Sequence, residues 1–216
     1  RTLQVRAIPA VPVKSPLDIL NDLDVQLTEL AKDATLTQAQ RNKLAEIDNL
    51  VNKTISDLTG GVAGLNALEL LENRLKAILN KLNAVKGVDV SAQVEKVNEL
   101  FAMLAQIPRI KSITTSLHEG KEVVTIPAFS QFVIRVLLLD KDKQEIPLDA
   151  FPDFAKPVLT GLDVDGQAEV TILDRNELLV SFKILADGMA SLTTFIEVSR
   201  AFKFTNRFFF QAKPQQ

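Results

Sequence analysis

Ala201-Phe-Lys-Phe-Thr-Asn-Arg-Phe-Phe-Phe-Gln211 decides how the second half of this chain folds. Its aromatic residues return at every second position. Phe202, Phe204, Phe208 and Phe210 share one face with Asn206 between them, while Lys203, Thr205, Arg207 and Phe209 share the other. A period of two belongs to a β-strand with one face in the core. Phe209 breaks the polar face. It is either an isolated exposed residue or an interface residue on an edge strand that pairs with another subunit.

The same rhythm runs back from this strand to Arg109. Candidate strands are Ser112–Ser116, Glu122–Ile126, Gln131–Leu139, Pro157–Leu162, Gln167–Leu173, Glu177–Leu185, Ser191–Ser199 and Ala201–Gln211. Turn chemistry separates them at Glu119-Gly120, Asp140-Lys141-Asp142-Lys143, Asp165-Gly166, Asp174-Arg175-Asn176 and Asp187-Gly188. Short strands with such spacing predict an antiparallel sandwich over 109–216, with an Ig-like topology favoured over a jelly roll or small barrel. The composition agrees, because eleven of the twelve phenylalanines follow residue 128.

Before Arg109 the period is that of helices. Ser15-Pro16 is a start signal, and Leu20, Leu23, Leu27 and Leu30 follow at 3-4-3 spacing. A second start at Thr35 or Thr37, each with Gln three residues on, leads into Leu44, Ile47, Val51, Thr54 and Leu58, and Gly60-Gly61 stops it. A third opens at Asn66 and carries Leu68, Leu71, Leu75, Ile78, Leu82 and Val85 to Gly87. A fourth runs from Ser91 to Gln106 with Val94, Val97, Phe101 and Leu104 inward, and Pro108 ends it. Two structures fit these narrow stripes: an antiparallel bundle within one chain, or a parallel coiled coil between copies. The short linkers fit the first, and the narrow stripes fit the second, which is favoured. The mixture of Leu, Ile and Val leans toward a trimer, which makes Leu20, Leu23, Leu27, Leu30, Leu44, Ile47, Val51, Leu58, Leu68, Leu71, Leu75, Ile78, Leu82 and Val85 the oligomer seam.

Residues 1–14 carry Val5, Ile8, Val11 and Val13 around Pro9 and Pro12. Proline forbids helix there, so the segment is expected to be an extended arm that docks on a neighbouring subunit or wraps its own domain. The opening Arg1-Thr2-Leu3-Gln4-Val5-Arg6 does not read as a signal peptide, since no apolar region follows the charges. The whole is an α+β chain in separate domains: arm 1–14, helical region 15–108, sandwich 109–216.

Composition narrows the chemistry. There is no Cys, Trp or Tyr and a single histidine, so thiol chemistry, disulfides and Cys-ligated zinc are absent. His118, in Ser116-Leu117-His118-Glu119-Gly120, is expected to be a surface turn residue. Asp163-Val164-Asp165-Gly166 has the start of a calcium loop, but Ile172 stands where an EF-hand needs Glu, so it reads as a hairpin turn. Asp140 and Asp142 read the same way. Phosphate-loop, dinucleotide and nucleophile-elbow motifs do not occur. No catalytic, cofactor-binding or metal-ligating residue is assigned, and no cofactor is expected. A carboxylate-only glycosidase is the one enzyme class that composition leaves open, and without Trp or Tyr a sugar site lacks its usual stacking surfaces. Net charge is −2, divided as −1 for residues 1–108 (12 basic, 13 acidic) and −1 for 109–216 (13 basic, 14 acidic). Neither half invites nucleic acid or an anionic membrane, and no apolar run of about 18 residues suggests a span.

Phe132-Val-Ile-Arg-Val-Leu-Leu-Leu-Asp140, Ile146-Pro147 and Leu162-Asp-Val-Asp-Gly-Gln-Ala-Glu-Val-Thr171 have a strand, Asp turn, strand rhythm. This rhythm, and the order arm, helices, β domain, resembles the trimeric fibre, head-fibre and decoration proteins of tailed-phage virions. The resemblance implies a non-enzymatic structural protein in a virion. It would dock by its arm on other structural proteins, trimerise through its helices and project an Ig-like domain. The alternative is a monomeric adhesin or scaffold-type binding module with a helical spacer, at a cell surface or in the cytoplasm.

Overall fold

A computed structural model of the chain describes residues 14–60, 64–118, 121–128, 130–165, 168–173, 177–182, 188–199 and 202–213. Four helices come first: α1 (Pro16–Ala31), α2 (Gln38–Thr59), α3 (Ala67–Asn83) and α4 (Ser91–Leu104). Eight strands follow: β1 (Ser112–Thr115), β2 (Val123–Pro127), β3 (Gln131–Leu139), β4 (Val158–Asp165), β5 (Ala168–Ile172), β6 (Glu177–Phe182), β7 (Met189–Val198) and β8 (Phe202–Lys213). The chain is α+β, helices before strands. The arm residues Val5, Ile8, Val11 and Val13 lie outside the described residues.

Local chemistry sets the first two helix starts. The Ser15 hydroxyl accepts the Asp18 N–H at 3.3 Å, and the Asp18 carboxylate accepts the Ser15 N–H at 2.8 Å. Thr37 and Gln40 repeat this reciprocal cap at 3.3 and 2.8 Å. Thr35 is not the cap, because its N–H and hydroxyl both donate to Asp33. Asn66 precedes α3 but forms no side-chain cap, and α4 begins after Val90. Gly87 turns the chain between them at φ +72°, a conformation that favours glycine.

α1 packs on α2 and α4, and α3 packs on α2 and α4, so the helices close a four-membered ring. Polar contacts give the direction. Gln40 and Lys43, at the start of α2, donate to the carbonyls of Lys86 and Ala84 beyond the end of α3, and Arg74 pairs with Asp57 at 2.5 Å. The neighbours are therefore antiparallel, and the oligomer-seam reading is corrected. Leu20, Leu23, Leu27, Leu44, Ile47, Val51, Leu58, Leu68, Leu71, Leu75, Ile78, Leu82 and Val85 are at most 9 % exposed within one chain, and Leu30 is half-buried. The reason is entropic: a short linker brings the next stripe of the same chain into reach at little closure cost. On α4 the inward set is Gln93, Val97, Leu100 and Leu104, with Val94 and Phe101 at the flank.

The strands form two four-stranded sheets, β1-β3-β6-β5 and β2-β8-β7-β4. The expected strands and observed ones coincide within a few residues. Two expectations are corrected. The pairing is not wholly antiparallel, since β2 runs parallel to β8 from Val123↔Phe209 to Pro127↔Lys213. And β8 is no edge strand, because β2 and β7 flank it. Ile134, Val136 and Leu138 of β3 share one apolar cluster with Leu192 and Ile196 of β7 and with Phe202, Phe204, Phe208 and Phe210 of β8. Asn206, the polar break in that row, donates to the Ile113 carbonyl on β1 at 2.8 Å and so ties the sheets together. In the Asp140–Lys143 turn, the Asp140 carboxylate accepts the N–H groups of Asp142 and Gln144 at 2.8 and 2.9 Å. The other expected turns include residues outside the described set.

Leu75 is fully buried in the bundle. Leu75→Ala is expected to cost about 2–5 kcal/mol of bundle stability and to leave the mass in solution unchanged. Thermal unfolding and light scattering on the same sample check this; a fall in mass would return the stripe to an intermolecular role.

Candidate functional site

Three places carry the chemistry of the described residues: the joint between helices and strands, a half-buried carboxyl pair, and the outer face of the β2-β8-β7-β4 sheet. The joint is built from the end of the bundle where α2 gives way to α3. Arg109, just beyond Pro108, pairs with Glu72 of α3, and the Gly64 N–H points at the Lys203 carbonyl at 3.4 Å. Ile107 and Ile110 are buried on either side of this contact. Beside it is a cleft of about 330 Å³, lined by apolar Leu68, Ile107, Phe202 and Phe204 and by charged Glu69, Lys76 and Lys111. Glu69 and Glu72 are one helical turn apart, and Arg109 engages Glu72. The described lining has no histidine, serine or threonine to act as nucleophile or base beside them.

Asp24 of α1 and Asp48 of α2 meet across the bundle surface. Asn52 donates to Asp24 at 2.6 Å. Burial first, then the hydrogen bond and charge of Asp24, push the Asp48 carboxyl up to about 6. A raised carboxyl beside a second acid is what carboxylate catalysis uses. Here it stands apart from the joint cleft, so the paired acids and the concave surface do not coincide.

His118 is a correction. It occupies a turn, as expected, yet is only 2 % exposed. Its Nε2–H donates to the Phe209 carbonyl at 3.1 Å, and its Nδ1 accepts the Thr115 hydroxyl at 2.7 Å. The rings of Phe208 and Phe210 lie 5.2 and 4.9 Å away. Burial holds the imidazole below its ordinary value, against the opposing pull of the Phe209 carbonyl. The histidine is a neutral strut that brings the end of β1 to β8, and its two partners leave neither nitrogen for catalysis. The sequence offered no sign of this, because the partner is a backbone carbonyl 91 residues away.

The outer face of the β2-β8-β7-β4 sheet is the third place. Alternation on β8 turns Lys203, Thr205, Arg207, Phe209 and Gln211 outward. Their partners across the ladder on β7 are Glu197, Phe195, Thr193, Ser191 and Met189. Val123 of β2 stands beside Phe209, and Val158 of β4 beside Glu197. Val123, Val158, Met189, Phe195 and Phe209 are 38–52 % exposed, five large apolar side chains on one sheet face. Arg207 donates to the Ser191 hydroxyl at 2.9 Å and lies over the Phe209 ring, 5.4 Å from its centre. The structure thus places Phe209 on an open face, without the strand edge that the sequence suggested. Its companions Phe195 and Met189 went unread, although each stands on the alternate face of a predicted or adjoining strand position.

No group of three or more acidic or histidine side chains suited to a metal ion occurs among the described residues. Asp163 is exposed on β4, and Gly166 of the suspected calcium loop lies outside them. No described helix is long and apolar enough to cross a membrane. No protein-family model matches the chain, and no curated protein matches it.

The two perturbed groups act on stability with opposite sign. For Asp48 the folded value exceeds the unfolded one near 3.8, so stability is greatest below that value and falls as pH rises through about 6. For His118 the folded value lies below 6.5, so stability is lost as pH falls below 6.5. Asp48→Asn is expected to raise the melting temperature at pH 7.5. Solvent screening in this partly exposed groove limits the gain to roughly 1 kcal/mol, or about 2–4 °C. The advantage shrinks toward pH 4. Melting curves across this range check it, and a gain independent of pH would mean that the acid pair is not its source.

His118→Gln is expected to lower stability at pH 7.5 and to flatten the decline between pH 7 and 5. The same melting series reads this, and an unchanged slope would place the pH dependence elsewhere.

Proposed function

We propose that this chain is a non-enzymatic structural subunit of a larger assembly, with the helical bundle as a rigid spacer and the β domain as an Ig-like head. The strand order supports the head. Reading β1, β3, β5 and β6 as A, B, D and E gives the A-B-E-D sheet of constant-type domains, and β4-β7-β8 then follow C-F-G. β2 adds a strand beside β8. The joint supports the spacer, since an ion pair, a backbone contact and buried Ile107 and Ile110 hold the head on the bundle.

The observation that carries the assembly reading is the outer face of the β2-β8-β7-β4 sheet. Exposed phenyl, methionine and valine side chains interleaved with charges on a folded domain make a surface for association. The apolar stripes of the helices are buried within one chain, so we assign association to this face and to the arm. A virion fibre or decoration subunit is the setting that the order of parts favours. The closed bundle also suits a monomeric adhesin or scaffold module, in which the same face would hold a foreign ligand.

In its native source, the chain is expected to sediment with a multi-subunit particle, and a Phe195→Glu, Phe209→Glu variant that still folds is expected to remain in the soluble fraction. Wild-type chain found wholly free of any particle would overturn the assembly reading.

A further inference from the structure

From the outward pattern of β7 and β8 we infer that the docking face takes a second copy of this chain, packed face to face about a two-fold axis. The inference rests on the docking-face reading above. Consider an axis parallel to the strands and midway between β7 and β8. It sets each outward residue of β8 against its own ladder partner in the other copy. The pairs then become Lys203 against Glu197 and Thr205 against Phe195, while Phe209 comes over Ser191, which is buried beneath Arg207. A cation meets a carboxylate, the Phe195 ring meets a small side chain, and the Phe209 ring meets the Arg207 side chain that covers Ser191.

Further out, Asp163 of β4 extends the acidic side of the face, opposite the Arg207 side of the second copy. Because the axis repeats every pair, this complementarity acts twice. Sheets also pack this way physically, aligned and about 10 Å apart with side chains interdigitating. Area is sufficient. The four strands carry 5, 12, 10 and 8 residues, which at about 3.3 Å per residue and about 4.8 Å between strands present about 550 Å². Two such faces bury roughly 1,100 Å², above the roughly 1,000 Å² that a specific interface should clear.

The test is solution mass by light scattering and sedimentation across the micromolar range, on the full chain and four variants whose folding is checked by circular dichroism. Wild type is expected to reach twice the chain mass. Lys203→Glu and Glu197→Lys each oppose like charges at two places, so each is expected to remain a monomer alone. Mixed in equal amounts the two are expected to form a heterodimer, since every opposed pair is again complementary. Phe195→Glu is expected to be monomeric, and Val133→Lys, on the exposed side of the other sheet, is expected to dimerise like wild type.

A wild type that stays monomeric throughout overturns the two-fold pairing, and so do single charge variants that keep the dimer mass or fail to combine. A monomer that nevertheless sediments with a particle overturns only this pairing and leaves the docking-face reading standing. A dimer found apart from any particle overturns the assembly reading and leaves this pairing standing. Should Phe195→Glu not fold, the charge-swapped pair decides alone.

Discussion

Every part of the β domain depends on the alternation along β8. Its inward phenyls, Phe202, Phe204, Phe208 and Phe210, fill the apolar cluster between the sheets. A fully buried side chain of this size contributes about 1.5–3 kcal/mol, so four on one strand anchor the fold. The same strand supplies the joint through Phe202 and Phe204, accepts the His118 strut at Phe209, and donates the Asn206 tie to β1. A slip by one residue would turn all of these groups to the wrong face. The outward residues are fixed by the same register, which is why core and exposed sheet face are two sides of one constraint.

The bundle answers a different constraint. Four narrow stripes need partners, and the chain supplies them itself through short linkers. Closing the ring buries the apolar stripes without a second molecule. What remains exposed on the helices is mostly charged and polar, with Val25 and Leu70 as exceptions, and is laced with pairs such as Lys81 with Glu46 at 3.0 Å. Such surface pairs contribute little to stability.

The chain holds two ionisable groups out of their ordinary ranges, and in both cases burial is the leading cause. Asp48 resists ionisation beside Asp24, and His118 resists protonation between phenyl rings. They stand in different parts of the fold and respond to pH in opposite directions. Their effects therefore partly offset each other in mildly acidic solution.

The sequence by itself determined the elements. Ser15 marked one helix start, and Thr35 or Thr37 a second, because a side-chain cap is a local interaction. The period of two placed β3 at Gln131–Leu139 because alternation is a property of one strand. It also separated the inward from the outward residues of β8. Only the tertiary structure decided what each face meets. Whether Leu75 meets its own chain or a copy depends on which stripe arrives first, and that is set by the linkers and the ring they permit. The burial of His118, the parallel partner of β8 and the gathering of Phe195, Met189 and Val123 beside Phe209 all join residues far apart in the chain. Periodicity records the orientation of a side chain relative to its own backbone and carries no information about the distant backbone opposite it.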